Sequence, residues 1–255
     1  MADITSIQKL YSIVVTCVEM ARDRGFDIVE PVNWSLILND TPVPERTTPL
    51  PGYSNTDMTV GMYIFMMYLL DRRRGIPHTS DRGLLTLDAL IFKKVGVVGE
   101  PTPSQKLFVG FAERESGTTL ISKAIAEDFL ALAKTRAAQS ILIADAAFSP
   151  AANVLIAAST EPPVQLFRDS ALTYSPIKHV FTPKHEVLSK EEAIKVRRDM
   201  GCKSNQLNFL DINDPVARYY NMQLRDMARI TRINMSNPAG QTTISYRIVV
   251  PTKSN

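Results

Sequence analysis

Apolar residues recur at helical spacing near the beginning of the chain. Thr5-Ser6-Ile7-Gln8 has the form of a capping box, and Gly25 supplies a stop signal. The apolar positions between these signals are Ile7, Leu10, Tyr11, Val14, Val18 and Ala21. Because they share one face at helical spacing, a helix is predicted from the capping box to Gly25.

A second helix is predicted over residues 58–74, where Gly75 closes an apolar stretch. Its apolar cluster comprises Met62, Phe65, Met66, Met67 and Leu69. We expect this cluster to pack in a core, which is a commoner use of such residues than ligand binding. The preceding residues 39–54 are rich in proline and glycine, which predicts a loop.

Strands and helices then alternate along the chain. The pattern predicts strands over 84–94 and 106–114, a helix over 119–136, and short strands at 140–144 and 164–167. Ser149-Pro150 is expected to open a further helix, since proline is favoured in a first helical turn. This alternation predicts an α/β sheet layer.

The pattern changes after Tyr174. Ser189-Lys190-Glu191-Glu192 predicts a capped short helix that Gly201 ends, and Asp214-Pro215 predicts a second one. Residues 228–234 and 242–250 alternate like strands, joined by a hairpin loop at Pro238-Ala239-Gly240. We therefore predict two domains, 1–175 and 176–255, with an α/β fold in the first and a small α+β fold in the second.

The charge distribution is consistent with this boundary. The chain has 29 Lys/Arg and 26 Asp/Glu. Residues 176–255 contain 13 Lys/Arg and 7 Asp/Glu, a net charge of +6. The first part therefore contains 16 Lys/Arg and 19 Asp/Glu, a net charge of −3. The two parts should therefore have different partners, and neither is basic enough to predict autonomous nucleic-acid binding. Lys195, Arg197 and Arg198 are expected on the outer side of a short helix, either as a solvated face or against an acidic partner.

Composition and targeting signals indicate an ordinary globular protein, with 45% hydrophobic and 22% charged residues. No secretion signal is recognisable, and the apolar stretch 58–70 is too short to span a bilayer. Cys17 and Cys202 could form one disulfide but no disulfide framework. We expect a soluble protein in a reducing intracellular compartment.

Motifs that would carry catalysis are missing from the sequence. It contains no phosphate-binding loop, no dinucleotide-binding glycine pattern and no nucleophile elbow. No Asp or Glu is followed two residues later by Lys, a spacing that many metal-dependent nucleases use; Glu113-Arg114-Glu115 comes nearest and is typical of a salt-bridged strand end. His78, His179 and His185 are expected to be surface or hydrogen-bonded histidines. The sequence therefore predicts no catalytic site, no metal site and no cofactor.

A series of motifs runs through the C-terminal part. It consists of His179-Val180-Phe181-Thr182-Pro183-Lys184-His185-Glu186-Val187-Leu188-Ser189, then Gln206-Leu207, Asp214-Pro215-Val216-Ala217-Arg218-Tyr219, and Ser245-Tyr246-Arg247. In order and spacing this series resembles the fifth-largest subunit family of eukaryotic nuclear DNA-directed RNA polymerases, together with its small counterpart in the archaeal RNA polymerase. The family pattern is H-x-L-V-P-x-H-x-x-L-S, Q-L-P, D-P-V-A-R-Y and a final Y-R.

The N-terminal part is similar to the eukaryotic members of that family. Asp23-Arg24-Gly25-Phe26 falls where they end their first helix with D-R-G-Y, and Ser149-Pro150-Ala151-Ala152 falls where they have T-P-S-A. The resemblance therefore covers essentially the whole chain. Since archaeal relatives lack the N-terminal domain, it implies a eukaryotic protein.

The resemblance implies a non-catalytic structural subunit. An N-terminal jaw domain of nuclease-like topology would lie near downstream DNA, and a C-terminal assembly domain would dock on the largest subunit and contact other subunits. Candidate subunit-interface residues are Lys184, His185, Arg218, Arg232, Tyr246 and Arg247, and candidate DNA contacts, made only within the complex, are Ser149 and Pro150. Arg218 could instead pair with Asp214. The core of the assembly domain should contain Val216, Ala217, Tyr219 and Ile230.

Departures from the family pattern favour a divergent paralogue that serves one polymerase. Asn221 and Arg225 replace two glycines, Asn208 replaces a proline, and Asn153 replaces a lysine. We lean to polymerase I, which implies the nucleus and specifically the nucleolus. The alternatives are a reversible polymerase-binding transcription regulator and a degenerate nuclease-like DNA-binding protein.

Overall fold

The computed structural model describes residues 4–28, 59–73, 85, 90–97, 100–159, 161–233 and 242–252. The chain divides into two compact units, Met1–Tyr174 and Ser175–Asn255. Each unit has its own sheet. The predicted loop at 39–54, the helix stop at Gly75, His78 and the hairpin loop at 238–240 lie outside the described residues.

A mixed sheet of five strands organises the first unit, in the order β1-β2-β3-β5-β7. The strands of this unit are β1 (Phe26–Ile28), β2 (Leu90–Lys94), β3 (Lys106–Ala112), β4 (Leu120–Ile121), β5 (Gln139–Ala144), β6 (Ala147–Phe148) and β7 (Val164–Arg168). β1, β2 and β3 are antiparallel neighbours, whereas β3, β5 and β7 run parallel. β4 and β6 form a separate parallel pair.

Five helices accompany this sheet in the described part of the unit. They are α1 (Ile4–Asp23), α2 (Val60–Arg73), α3 (Lys123–Arg136), α4 (Pro150–Ala158) and α5 (Asp169–Leu172). α3 connects β3 to β5 and α4 connects β5 to β7, as parallel strands require crossover connections. The predicted α/β layer is therefore present.

Apolar side chains fill both faces of the central strands. On one face Phe108 stacks on Phe129 of α3, with ring centroids 5.3 Å apart, and Leu142 is buried in the same cluster. On the other face Val109 and Ile141 are also buried. A strand buried on both faces has a continuous apolar run, which explains the sequence of 140–144.

The first helix begins one residue earlier than its predicted cap. α1 starts at Ile4, so Thr5 lies inside the helix and the predicted capping box at Thr5 is wrong. The stop is confirmed, because Gly25 has φ +83° and its amide donates to the carbonyl of Arg22 at 2.9 Å. In α2, Met67 is exposed, contrary to prediction, while Met62, Phe65, Met66 and Leu69 are buried.

Strand pairing changes the ends of two predicted elements. The helix predicted over 119–136 begins only at Lys123, because Leu120 and Ile121 pair with β6 and the Ser122 hydroxyl accepts a hydrogen bond from the Ile125 amide at 3.4 Å. β3 ends at Ala112, two residues before the predicted end. Arg114 then pairs with Asp145 at 3.4 Å, so the predicted salt-bridged strand end is confirmed.

A four-stranded sheet organises the second unit, in the order β8-β10-β11-β9. Its elements are β8 (Lys184–Val187), α6 (Lys190–Asp199), β9 (Asn208–Asp211), α7 (Pro215–Tyr219), β10 (Met227–Ile233) and β11 (Thr242–Val250). β10 is antiparallel to β8 and β11, and β11 is parallel to β9. The fold of this unit mixes helices and strands as predicted.

Both predicted helix caps of the second unit are confirmed. The Ser189 hydroxyl accepts from the Glu192 amide at 3.2 Å, and the Glu192 carboxylate accepts from the Ser189 amide at 2.9 Å. The Asp214 carboxylate accepts from the Val216 amide at 2.8 Å, with Pro215 as the first helical residue. Gly201, at φ +63°, follows α6 as predicted.

Helices cover both faces of this second sheet. One core cluster contains Leu188, Leu207, Met227 and Ile248, with Ala193 and Val196 of α6 packed against it. The other contains Leu210, Ala217 of α7, Met222, Ala228, Ile230 and Val249. The predicted core residues Val216, Ala217, Tyr219 and Ile230 are all buried.

Candidate interaction surfaces

The candidate interface residues of the second unit divide between the two faces of its sheet. Side chains alternate along a strand, and residues paired across neighbouring strands share a face. Lys184 pairs with Thr231 and Tyr246 with Arg229, which places them on the α6 side with Met227. His185 pairs with Ile230, Arg247 pairs with Ala228, and Arg232 lies two residues after Ile230 on β10. All three therefore lie on the α7 side, with the core residues Ile230 and Ala228.

On the α6 side, Lys184 belongs to an ion-paired group. Its Nζ lies 2.8 Å from Glu186 Oε1, and Arg229 Nη1 lies 3.2 Å from Glu186 Oε2. The hydrogen bond and charge of Lys184, followed by the charge of Arg229, lower the pKa of the Glu186 carboxyl. Lys184 therefore reaches a partner only with its charge partly compensated by Glu186.

On the α7 side, Arg247 is half-buried. Its Nη1 donates to the carbonyl of Phe209 at 3.3 Å, whereas its buried Nε has no hydrogen-bond partner among the described residues. A buried unpaired donor is costly, so a partner oxygen at this place would stabilise the arrangement. On β8, which lies on the other side of β10, the Nδ1–H of His185 donates to the carbonyl of Pro183 at 2.7 Å.

Arg218 lies on α7 and is half-buried. Burial lowers the pKa of its guanidinium from the ordinary value. Asp214 is engaged as the cap of the same helix through the Val216 amide. The Arg218 amide also donates to the Asp214 carbonyl at 2.9 Å, while the side-chain pairing of Arg218 with Asp214 stays a hypothesis.

Exposed apolar residues add to the candidate surface of the second unit. Val180 and Phe181 are 79% and 87% exposed, in the segment that precedes β8. The Phe181 amide donates to His179 Nδ1 at 3.3 Å, which fixes the local turn. The sequence analysis named these two residues only as part of a motif. Apolar residues outside any predicted helix or strand were the signal that could have marked them as exposed. Adjacent exposed apolar side chains are typical of interaction sites.

Ser149 and Pro150 lie at the start of α4 in the first unit. The Ser149 hydroxyl accepts from the Ala152 amide at 3.2 Å, and the Ser149 amide donates to the Ile121 carbonyl at 3.0 Å. This confirms the predicted helix start. Beside it lies an open groove of about 480 Å³, lined by Lys123, Pro150, Ala151, Val154, Leu155 and Ala158. Lys123 is paired with Glu127 at 2.9 Å, and the other lining residues of the groove are apolar.

The basic residues of α6 differ in environment. Lys195 and Arg198 are exposed, but Arg197 is half-buried, contrary to the expected common outer face. Its Nε donates to the Ala193 carbonyl at 3.2 Å and its Nη1 to the Ser204 hydroxyl at 2.6 Å. The 3₁₀ turn Ser204–Gln206, which follows α6, therefore draws the guanidinium inwards.

Three expectations from the sequence concern other kinds of site. Cys17 and Cys202 are free thiols, so the disulfide that they could form is not present. Within the described ranges, no three or more His, Cys, Asp or Glu side chains are grouped as metal ligands. The same ranges contain no helix long and apolar enough to cross a membrane.

Comparison with known proteins identifies relatives of the second unit. The family described as RNA polymerase Rpb5, C-terminal domain, matches residues 174–249. The chain is similar to the DNA-directed RNA polymerase subunit Rpo5 of Metallosphaera sedula, with 41% identity over 83 residues, 32% of this chain and 96% of that protein. The corresponding subunit of Sulfurisphaera tokodaii is 37% identical over 81 residues, 32% of this chain and 93% of its own.

A eukaryotic relative matches a longer part of the chain. The subunit rpabc1 of DNA-directed RNA polymerases I, II, and III from Dictyostelium discoideum is 30% identical over 158 residues, 60% of this chain and 76% of that protein. The second unit has only 81 residues, from Ser175 to Asn255. This similarity therefore extends into the first unit.

Proposed function

Because the chain belongs to the Rpb5 family of DNA-directed RNA polymerase subunits, we propose that it is a non-catalytic structural subunit of a nuclear polymerase. The observation that carries this proposal is the family match over 174–249, which coincides with nearly all of the second unit. That unit has its own sheet and its own core clusters. It would act as the assembly domain that docks on the largest subunit.

The α7 side of the second unit is the better supported docking surface. It carries Arg232, which is exposed, and Arg247, whose buried Nε has no partner among the described residues. Arg218 is half-buried on the helix of the same side. Lys184 and Tyr246 belong to the opposite side, so one flat partner surface would not contact all six candidates.

For the first unit, we propose the role of a jaw domain near downstream DNA. The similarity to the Dictyostelium subunit beyond the second unit and the mixed α/β sheet support this assignment, including a nuclease-like topology. Ser149 and Pro150 could approach a phosphate at the start of α4. Since the first part has a net charge of −3 and the groove beside Pro150 is apolar, any DNA contact should be weak and confined to the complex.

A further part of the proposal concerns which nuclear polymerase contains this subunit. A eukaryotic relative supports a nuclear protein. The departures at Asn153, Asn208, Asn221 and Arg225 support a paralogue that serves one polymerase. We propose polymerase I, and hence the nucleolus. A subunit shared by polymerases I, II and III, as the name of the Dictyostelium relative states for that protein, is the competing assignment.

Affinity purification of the tagged full-length chain tests the function. The largest subunit of one polymerase should co-purify at equal stoichiometry, and its identity assigns the polymerase class. A fragment lacking residues 1–175 should still co-purify, while an Arg232→Glu variant should lose subunit binding and a Lys195→Glu variant on exposed α6 should retain it. Substoichiometric recovery would favour a reversible regulator, and metal-dependent cleavage of DNA by the purified chain would favour a nuclease.

A further inference from the structure

A pocket of about 440 Å³ opens in the second unit between α6 and the sheet. Its lining residues are Ala193, Arg197, Ser204, Arg225, Met227 and Ile248. Met227 and Ile248 are buried core residues, so they form an apolar floor. The pocket thus combines two arginine residues with an apolar floor, and among the described residues no carboxylate-bearing residue belongs to its lining.

The Arg197 guanidinium is fixed by two hydrogen bonds and keeps further N–H donors for a ligand. A guanidinium has five N–H donors. In Arg197 one N–H donates to the Ala193 carbonyl and one to the Ser204 hydroxyl, which leaves three. These two bonds fix the orientation of the group, so little further ordering is needed when a ligand oxygen binds.

Arg225, an exposed residue of the pocket lining, has an unusual backbone conformation. Its φ is +74°, in the left-handed region that residues other than glycine and asparagine rarely adopt. Its amide donates to the Val249 carbonyl at 3.0 Å, which ties this conformation to β11. Strain of this kind persists where the surroundings impose it, and it is frequent at binding sites.

Neither guanidinium is neutralised within the part of the chain that the structure describes. No ion pair of Arg197 or Arg225 with a carboxylate is present there. The nearby Asp226 carboxylate is engaged otherwise, since it accepts from the Gln223 amide at 2.7 Å. Two uncompensated cations beside a pocket attract an anionic group.

We propose that this pocket binds an acidic segment of another protein, in which a carboxylate meets Arg197 and Arg225 and an adjacent apolar side chain rests on Met227 and Ile248. An inorganic phosphate or a nucleic-acid backbone would use the cations but leave the apolar floor exposed. Ligand sites commonly pair an apolar lining with a few polar groups that fix orientation. The proposal does not depend on membership of a polymerase, because it concerns only groups of this unit.

The test uses the full-length chain and a short fluorescein-labelled peptide that alternates glutamate and leucine and has blocked ends. Fluorescence anisotropy should show saturable binding. Arg225→Gly should weaken it by about tenfold or more, as expected for a lost charge-assisted hydrogen bond. Glycine suits the left-handed backbone, so this variant should fold, which its melting curve checks. Arg198→Gln, which removes a charge from an exposed position of the same helix as Arg197, should leave the affinity unchanged.

Two control ligands separate the contributions of charge and apolar contact. A peptide with glutamine in place of glutamate should not bind, and one with serine in place of leucine should bind less tightly than the original. Equal binding of the glutamine peptide, or unchanged affinity in a folded Arg225→Gly variant, would overturn the proposal. So would an absence of peptide binding combined with Arg225-dependent binding of duplex DNA or inorganic phosphate.

Discussion

Glu186 and Arg229 face each other across β8 and β10, with their Cα atoms in register and Oε2 3.2 Å from Nη1. Lys184 binds the other oxygen of the same carboxylate at 2.8 Å. β8 is an edge strand of its sheet, so this carboxylate ties the edge to its neighbour. Register is thereby supported by charge as well as by the apolar core.

This pairing predicts a dependence of stability on pH. The pKa of Glu186 is lowered, first by the hydrogen bond from Lys184, so the folded state holds the proton less tightly than the unfolded chain. The stabilisation is therefore present above the ordinary glutamate pKa of 4.5 and is lost as the pH falls through the lower, folded value. Hydrogen bonds lower the pKa of Glu192 and Asp211 as well, so they act in the same direction.

Urea unfolding at a series of pH values measures this effect against a Glu186→Gln variant. The wild-type chain should be the more stable at neutral pH, and the difference should shrink below about pH 4.5. High salt should reduce it too, because Lys184 is exposed and Glu186 and Arg229 are partly exposed to solvent. Parallel stability curves for the two proteins would show that the pairing contributes nothing.

Loss of the Asp214 cap should destabilise the second unit. Asp214→Ala leaves the Val216 amide without its acceptor, and such a loss costs about 0.5–2 kcal/mol. Asp214→Asn retains a capping oxygen while removing the charge, so it should be nearly neutral. Thermal unfolding and polymerase co-purification are measured together. A normal melting temperature with lost binding would instead make Asp214 an interface residue.

Arg225→Gly should stabilise the second unit. Removing the strain of an arginine in the left-handed region should stabilise the fold by about 1–2 kcal/mol. Glycine also makes the unfolded chain more flexible, which destabilises the fold by about 0.4–1 kcal/mol, so the net gain should be about 1 kcal/mol. Asn221→Gly is the matched control at φ +52°, where asparagine is already tolerated and no such gain is expected. Equal gains at the two positions would refute the strain argument. In the peptide assay the same Arg225→Gly variant should lose affinity.

A jaw contact with downstream DNA should be detectable from position 149. A photo-crosslinker placed there in an elongating complex should label downstream DNA. Ser149→Asp should weaken the contact, since aspartate keeps the cap but adds a negative charge beside the phosphate. Crosslinks confined to protein, together with unchanged elongation by Ser149→Asp, would assign a purely structural role to this helix start.

Local signals allowed several elements to be predicted from the sequence. The caps at Ser189, Asp214 and Ser149 each join a side chain to an amide two or three residues away, so a short stretch of sequence contains all the required groups. The same holds for Gly25, whose positive φ suits glycine. The motif series in 179–247 likewise indicated the family that the comparisons confirm.

Elements that depend on distant partners were predicted less well. Ile121 was expected on a helix, yet it pairs with Phe148 in a strand, because β6 supplies hydrogen-bond partners that no local pattern reveals. Arg197 was expected on the outer side of α6, either solvated or against an acidic partner, yet its guanidinium turns inwards and donates to the Ser204 hydroxyl beside the pocket. The strand register also decides which candidate residues share a face of the sheet. It places Lys184 and Tyr246 on one face and His185, Arg232 and Arg247 on the other.

By itself, the sequence determined the family, the α/β and mixed character of the two parts and the capped helices, because these depend on contiguous motifs and on periodicity. The tertiary structure decided which candidate residues share a face and that Arg197 and Arg225 meet at one pocket. Strand pairing and helix packing bring together residues that are distant along the chain, and their positions follow from the whole core rather than from any local stretch.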